Sequence, residues 1–240
     1  MIAAAAEAGA LLERDPAIAA VRAAVTAGRN LLVHGPAGAG KTALLRAALA
    51  GQARQPLFCS AVTAAGLYRQ ALCALGAAGE REAEALSSLR CRQKLAAAFA
   101  ARPCCLVWDP APAASRTLAN GLRDLLRRGS VPLVCAAASP HMEAIGCLSI
   151  FFSLQSERLH VPPLSEAAAR QLAEREVDRL QLQFDDAEQV LAELLRRAKG
   201  RPGEIKALLA MTRLPRYRQG GRIKLHVLYL DRLTGVHRGD

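Results

Sequence analysis

Eight residues, Gly35-Pro36-Ala37-Gly38-Ala39-Gly40-Lys41-Thr42, constrain the fold of this chain more than any other stretch. They fit the pattern G-x-x-x-x-G-K-[ST] at every fixed position. The flanks fit as well. Asn30-Leu31-Leu32-Val33-His34 is a short apolar run suited to a buried strand, and Ala43 to Leu49 reads as the helix that should follow. Glycines at these places let backbone N–H groups turn toward a polyphosphate, and the helix N-terminus adds partial positive charge. Gly35 to Thr42 and the next residue, Ala43, are therefore the expected phosphate cradle. Lys41 would reach the outer phosphates and Thr42 would hold Mg²⁺.

The chain has 240 residues, enough for one large domain or one plus a small one. Hydrophobic content is 52%, inflated by alanine, and aromatics are 4%, so helices rich in Ala, Leu and Arg are expected. The formal net charge of +11 favours phosphate-rich partners such as nucleic acid or an anionic membrane. Of 32 basic residues only five are lysine, and one stands at the place the loop requires. Seven cysteines are scattered with no C-x-x-C pair. An odd, scattered set points to a reducing, cytoplasmic setting and not to a disulfide framework. The segment from Met1 to Ala10 lacks a basic n-region. The longest strongly apolar stretch, Cys147 to Leu154, is far short of the roughly 20 residues a spanning helix needs.

Apolar runs alternate with helical patterns. Strands are expected at Asn30–His34, Pro56–Ser60, Cys104–Trp108, Val131–Ala136 and Leu159–Val161. Helices are expected at Ala17–Ala27, Leu67–Leu75, Glu82–Ala101 and Arg116–Arg128, the last stopped by Gly129. Alternation of this kind implies right-handed crossovers and a parallel sheet, an α/β class. After Pro162-Pro163 the pattern becomes helical. Ser165 starts one helix, Asp185 caps a second, and a third runs from Pro202 to Met211. The expected division is an α/β domain over 1–163, a small helical domain over 164–212 and a basic tail over 213–240. The tail carries seven basic residues, Arg213, Arg216, Arg218, Arg222, Lys224, Arg232 and Arg238, around an apolar centre. Packing on the body and contact with a phosphate backbone are both open to it.

Asp109 closes the apolar run Cys104-Cys105-Leu106-Val107-Trp108, the place where a second Mg²⁺ partner is expected. With it the chain resembles the AAA+ ATPases and the related STAND-type NTPases over residues 12 to 212. The compact prokaryotic members, transposition-helper and origin-recognition types, are the nearest in look. The resemblance implies a parallel-sheet P-loop core with a C-terminal helical lid, and ATP with Mg²⁺ as ligands. Leu12-Glu13-Arg14-Asp15 looks like the motif that opens such modules, without its usual Gly. Gly35 to Thr42 matches Walker A, and Cys104 to Asp109 matches Walker B. Ser139 sits where the family has its polar sensor-1 residue. Gly200-Arg201-Pro202-Gly203 resembles the turn at sensor 2, with Arg201 placed before the Pro and not after it. Arg158, ahead of the fifth strand, matches the place of the trans-acting finger. The family's Glu after the Walker B Asp is replaced by Pro110, which has no acid–base group. Glu143 is the substitute expected from a neighbouring loop.

These residues imply retained phosphate and Mg²⁺ placement with weakened water activation, as in a nucleotide switch whose hydrolysis is slow or stimulated by a partner. No guanine-reading N-K-x-D pattern is present. Three functions remain open on sequence. The first is an ATPase or switch acting on DNA. The second is a signalling or assembly regulator that binds ATP to control homo-oligomerisation or another protein. The third is a small-molecule kinase, for which no acceptor-binding carboxylate lies near the loop.

Overall fold

The computed structural model describes residues 11–234; the alanine-rich start and Arg238 lie outside the described residues. The chain divides into two compact units. One comprises the chain up to Gly35 together with Lys41–Val161, and the other comprises Pro36–Gly40 together with the chain from Pro162 onward.

The first unit is built on five parallel strands: β1 (Leu31–His34), β2 (Gln55–Cys59), β3 (Cys104–Trp108), β4 (Leu133–Ala137) and β5 (Arg158–His160). Their spatial order is β2-β3-β4-β1-β5. The register sets Leu106 beside Leu133, Leu31 beside Val134 and His34 beside His160. β3 and β4 are buried at every position, as strands covered on both faces must be. The period-2 alternation divides them between two cores. Leu32, Cys104, Leu106, Trp108, Leu133 and Cys135 join a cluster with α3 (Ala64–Ala74), α5 (Ser88–Ala101) and α6 (Arg116–Gly129). The intervening Leu31, Val33, Cys105, Val107, Val134 and Ala136 are buried outside that cluster. α1 (Asp15–Thr26) packs on α2 (Lys41–Leu49) and contacts β1. Trp108 is fully buried, and its indole N–H donates to Ala61 O at 3.0 Å, so the large ring carries no unpaired donor. Cys59, Cys104, Cys105 and Cys135 are free thiols in the core. Burial pushes Cys59 and Cys105 up to about 12, which makes them inert small side chains.

Several expectations need correction. The helix expected over Glu82–Ala101 is two helices, α4 (Glu80–Ala85) and α5, because Ser87 accepts from Arg90 N at 3.3 Å and caps a new start. Gly129 does not stop α6; Ser130 ends it in the left-handed region, at φ 50°. Gly129 is small for a different reason: a Cβ there would lie 2.6 Å from Phe99 Cβ on α5. β4 begins at Leu133 because Pro132 has no N–H to give a ladder.

The second unit holds α8 (Glu166–Leu180), α9 (Ala187–Ala198), α10 (Pro202–Met211) and α11 (Leu225–Thr234), with a short helix α7 (Met142–Ile145) belonging to the first unit. Ser165 accepts from Ala168 N at 3.2 Å as the cap of α8. Asp186, not Asp185, is the N-cap of α9, and Asp185 N donates instead to Gly221 O. The tail forms a two-strand hairpin, β6 (Arg218–Gln219) with β7 (Arg222–Ile223), followed by α11. Its arginines are largely engaged. Arg232 donates two hydrogen bonds to the Glu204 carboxylate, at 2.9 and 2.8 Å, Arg216 pairs with Asp231 at 3.5 Å, and Arg218 donates to Thr212 O.

Candidate nucleotide site

In the first unit, β1 runs directly into Gly35, and α2 begins at Lys41. Gly35 is buried, and a Cβ there would lie 2.3 Å from Val161 O, so no other residue fits without moving backbone. Lys41 Nζ donates to Gly35 O at 2.7 Å and ties the two ends of the loop together. Burial holds its pKa below the usual lysine value, and the charge of Asp109 works in the opposite direction. Thr42 and Ala43 are exposed in the first turn of α2, where amides of a helix start lack intrahelical acceptors.

Asp109 follows β3 directly, and its N–H donates to Cys59 O at 2.9 Å, fixing the backbone at the strand end. Its Oδ2 is buried and has no hydrogen-bond partner among the described residues. A buried carboxylate oxygen without a donor costs of order 1–3 kcal/mol or more. The residue type, the burial and the missing partner suit a cation: Thr42 and Asp109 are an oxygen pair of the kind that Mg²⁺ takes beside phosphates. The residues present therefore fit the expected ligands.

Ser139 lies two residues beyond β4, half-buried, and its hydroxyl accepts from His141 N at 3.3 Å. Glu143 is exposed in the single turn of α7. Arg158 is the first residue of β5, in register with Leu32, and its Nε donates to Phe152 O at 3.0 Å. His34 and His160 escaped the sequence reading. They are register partners with ring centroids 5.1 Å apart. Burial first, then the charges of His160, Arg158, His141 and Lys41, holds His34 below its usual pKa. The sequence signal for it was its place immediately before Gly35.

In the second unit, Gly38 and Gly40 have φ of 79° and 91°, a region that L side chains rarely adopt. Gly203 N donates to Gly38 O at 2.9 Å, and a Cβ on Gly203 would approach Gly38 Cα to 3.1 Å. Arg201 is the N-cap of α10, and its Nε donates to Ala198 O at 3.1 Å. Pro36, Ala37 and Ala39 complete the turn, with Ala39 fully buried. Lys206 is paired with the buried Glu176 at 3.3 Å.

No family model and no curated protein matches the chain. Solved structures do. The Orc1 protein of Aeropyrum pernix, solved in complex with DNA, is 19% identical over 94% of this chain and 66% of its own, with a TM-score of 0.66. A Walker-type ATPase of Pyrococcus abyssi is 15% identical over 95% of this chain and 76% of its own, with a TM-score of 0.61. The replication initiator DnaA, bound to AMPPCP and single-stranded DNA, is 14% identical over 84% and 61%, with a TM-score of 0.57. The likeness is one of fold, an α/β architecture on a five-stranded parallel sheet. The chain spans as little as 61% of the length of these structures. In this fold, Gly35–Thr42 occupies the loop after the first strand, and Asp109 follows the third. Pro110 stands after it. Among the described residues no helix is long and apolar enough to cross a membrane.

Proposed function

We propose that this chain is an ATP-binding switch of the AAA+ type that works on DNA and hydrolyses ATP slowly or on stimulation by a partner. The observation that carries the nucleotide part is the orphaned Asp109 Oδ2 in a chain whose α2 opens with Lys41 and Thr42. Gly35, Pro36, Ala37, Gly38, Ala39, Gly40, Lys41, Thr42, Ala43 and Arg201 would hold the phosphates, and Thr42 and Asp109 the Mg²⁺. Bound Mg²⁺ would supply charge neutralisation at the phosphates; the chain itself supplies the amides, the ammonium group and the carboxylate. Residues 1–163 form the nucleotide-binding domain in this reading, 164–212 the helical lid and 213–240 the tail.

Weak hydrolysis follows from Pro110. A positioned general base contributes about 10²–10⁴-fold to rate, and the exposed Glu143 on a four-residue helix is a loosely held substitute. Ser139 and Arg158 take the sensor and finger roles, the latter toward a neighbouring copy in a nucleotide-dependent oligomer. Orc1 and DnaA, both of which were solved with DNA, support the DNA part, as does the net charge of +11. Phosphate release from ATP, measured with and without duplex DNA, tests the proposal. Slow basal turnover that rises with DNA and falls in Glu143→Gln is expected. Brisk unstimulated turnover that Glu143→Gln leaves untouched would sink it.

A further inference from the structure

The larger part of this protein's excess charge lies in its first unit. The described residues of the first unit hold 17 basic and 9 acidic side chains, whereas those of the second hold 14 and 10. Within the first unit the fold gathers arginines at one place. All five strands are parallel, so their N-terminal ends form one edge of the sheet, opposite the edge at which β1 enters Gly35. Arg29 stands two residues before β1, Arg54 one before β2, Arg102 two before β3, and Arg127-Arg128 close α6 just before β4.

Arg54 reaches two of the neighbouring segments. Arg54 Nη1 donates to Ser130 O at 3.5 Å, on the segment between α6 and β4, and its Nη2 would lie 3.6 Å from a Cβ on Gly28, beside Arg29. Arg102 Nη1 donates to Leu75 O at 3.1 Å. Arg29, Arg102, Arg127 and Arg128 are exposed, and Arg54 is half-buried. None of the five makes an ion pair among the described residues, and Asp124 is the one acid on α6. A guanidinium carries five N–H donors. Arg54 and Arg102 are therefore held in place by one bond each to a carbonyl while their remaining donors stay free. Surfaces that only confer solubility mix the two signs. A patch of one sign repels itself and suits a polyanion that neutralises it.

We propose that this arginine edge, the N-terminal edge of the sheet, is the surface that grips the phosphate backbone of duplex DNA. The inference rests on the DNA-acting reading above and moves the contact from the tail to the sheet edge. The matching chemistry is a rigid row of phosphates met by positioned guanidinium groups, with no base readout required.

The test is binding of a random-sequence duplex by fluorescence anisotropy between 50 and 200 mM salt. Wild type is compared with Arg29→Gln/Arg127→Gln/Arg128→Gln and with the tail variant Arg213→Gln/Lys224→Gln. Each lost phosphate contact lowers the slope of log K against log salt by about 0.9. The triple variant is therefore expected to lose roughly 2–3 from the slope, and the tail variant to keep it. Affinity for a fluorescent ATP analogue should be unchanged in both, which shows that the chain is still folded. If wild type binds duplex DNA and the triple variant keeps its slope, the edge is not the contact and the DNA-acting reading survives. Equal losses in both variants would mean diffuse charge and would also overturn it. Absence of wild-type binding would overturn the DNA-acting reading and this inference together.

Discussion

Replacing Asp109 with alanine should make the empty protein more stable and the nucleotide-bound protein less so. The buried Oδ2 has no hydrogen-bond donor, so its removal relieves a desolvation cost of about 1–3 kcal/mol. The substitution also removes the carboxylate that raises the Lys41 pKa, a half-buried pair for which about 1 kcal/mol is an upper figure after screening. The net gain is about 0–2 kcal/mol. For a chain of this size each kcal/mol moves Tm by roughly 2–4 °C, so the empty variant should melt up to about 8 °C higher. Ligand works in the other direction. ATP with Mg²⁺ at 100 times Kd stabilises the native state by about 2.7 kcal/mol. An interaction with a charged group is worth about 1.5–3 kcal/mol, so its loss weakens Kd roughly thirtyfold and leaves about 1 kcal/mol of that stabilisation. Thermal melts of both proteins, empty and with ATP plus Mg²⁺ or EDTA, give all the quantities. A variant that melts below wild type when empty, or that keeps the full Mg²⁺-dependent shift, would show that Asp109 is not held in reserve for a cation.

Two further outcomes test the site's packing and its charge. Gly35→Ala places a methyl group 2.3 Å from Val161 O, so β1 or the chain after β5 must move; ATP affinity should fall at least tenfold, and the urea midpoint should drop by more than a typical surface change produces. His34 has a folded pKa below its usual 6.5, so between those values the unfolded chain binds more protons and stability rises with pH, being fully present above about 6.5 and lost as pH falls through the folded pKa. His34→Gln should flatten that acid limb in urea titrations run from pH 5 to 8, and an unchanged limb would show that the histidine is not its source.

What could be read from the chain was what is local. The strand–loop–helix around Gly35–Thr42 and the closed apolar run before Asp109 depend on neighbours within a few residues, and both stand where expected. Gly129 was legible as a special position but for the wrong reason. A stop signal and a packing demand both read as glycine, and only the approach of Phe99 across α5 tells them apart. The tail was ambiguous because the partners of its arginines, Glu204 and Asp186 among them, lie 28 and 36 residues away in the chain. Nor could the arginine edge be seen in one dimension. Arg29, Arg54, Arg102 and Arg127 are separated by 25 to 48 residues, and only parallel pairing with a fixed strand order brings them to one edge.

Acceptor type, more than the number of cations, separates groups available to phosphate from groups already spent. Lys41, Arg158 and Arg201 each donate to a backbone carbonyl, at Gly35, Phe152 and Ala198, and Arg54 and Arg102 do the same at Ser130 and Leu75. Arg232, Arg216 and Lys206 are held by the carboxylates of Glu204, Asp231 and Glu176. A bond between an ionised donor and an ionised acceptor is roughly twice as strong as one between neutral groups. A phosphate therefore outbids a neutral carbonyl, with the released carbonyl free to take water, whereas exchanging a carboxylate for a phosphate gains little. By that criterion the cations along the N-terminal edge of the sheet remain open to phosphate, and much of the tail's charge is committed to holding the second unit together.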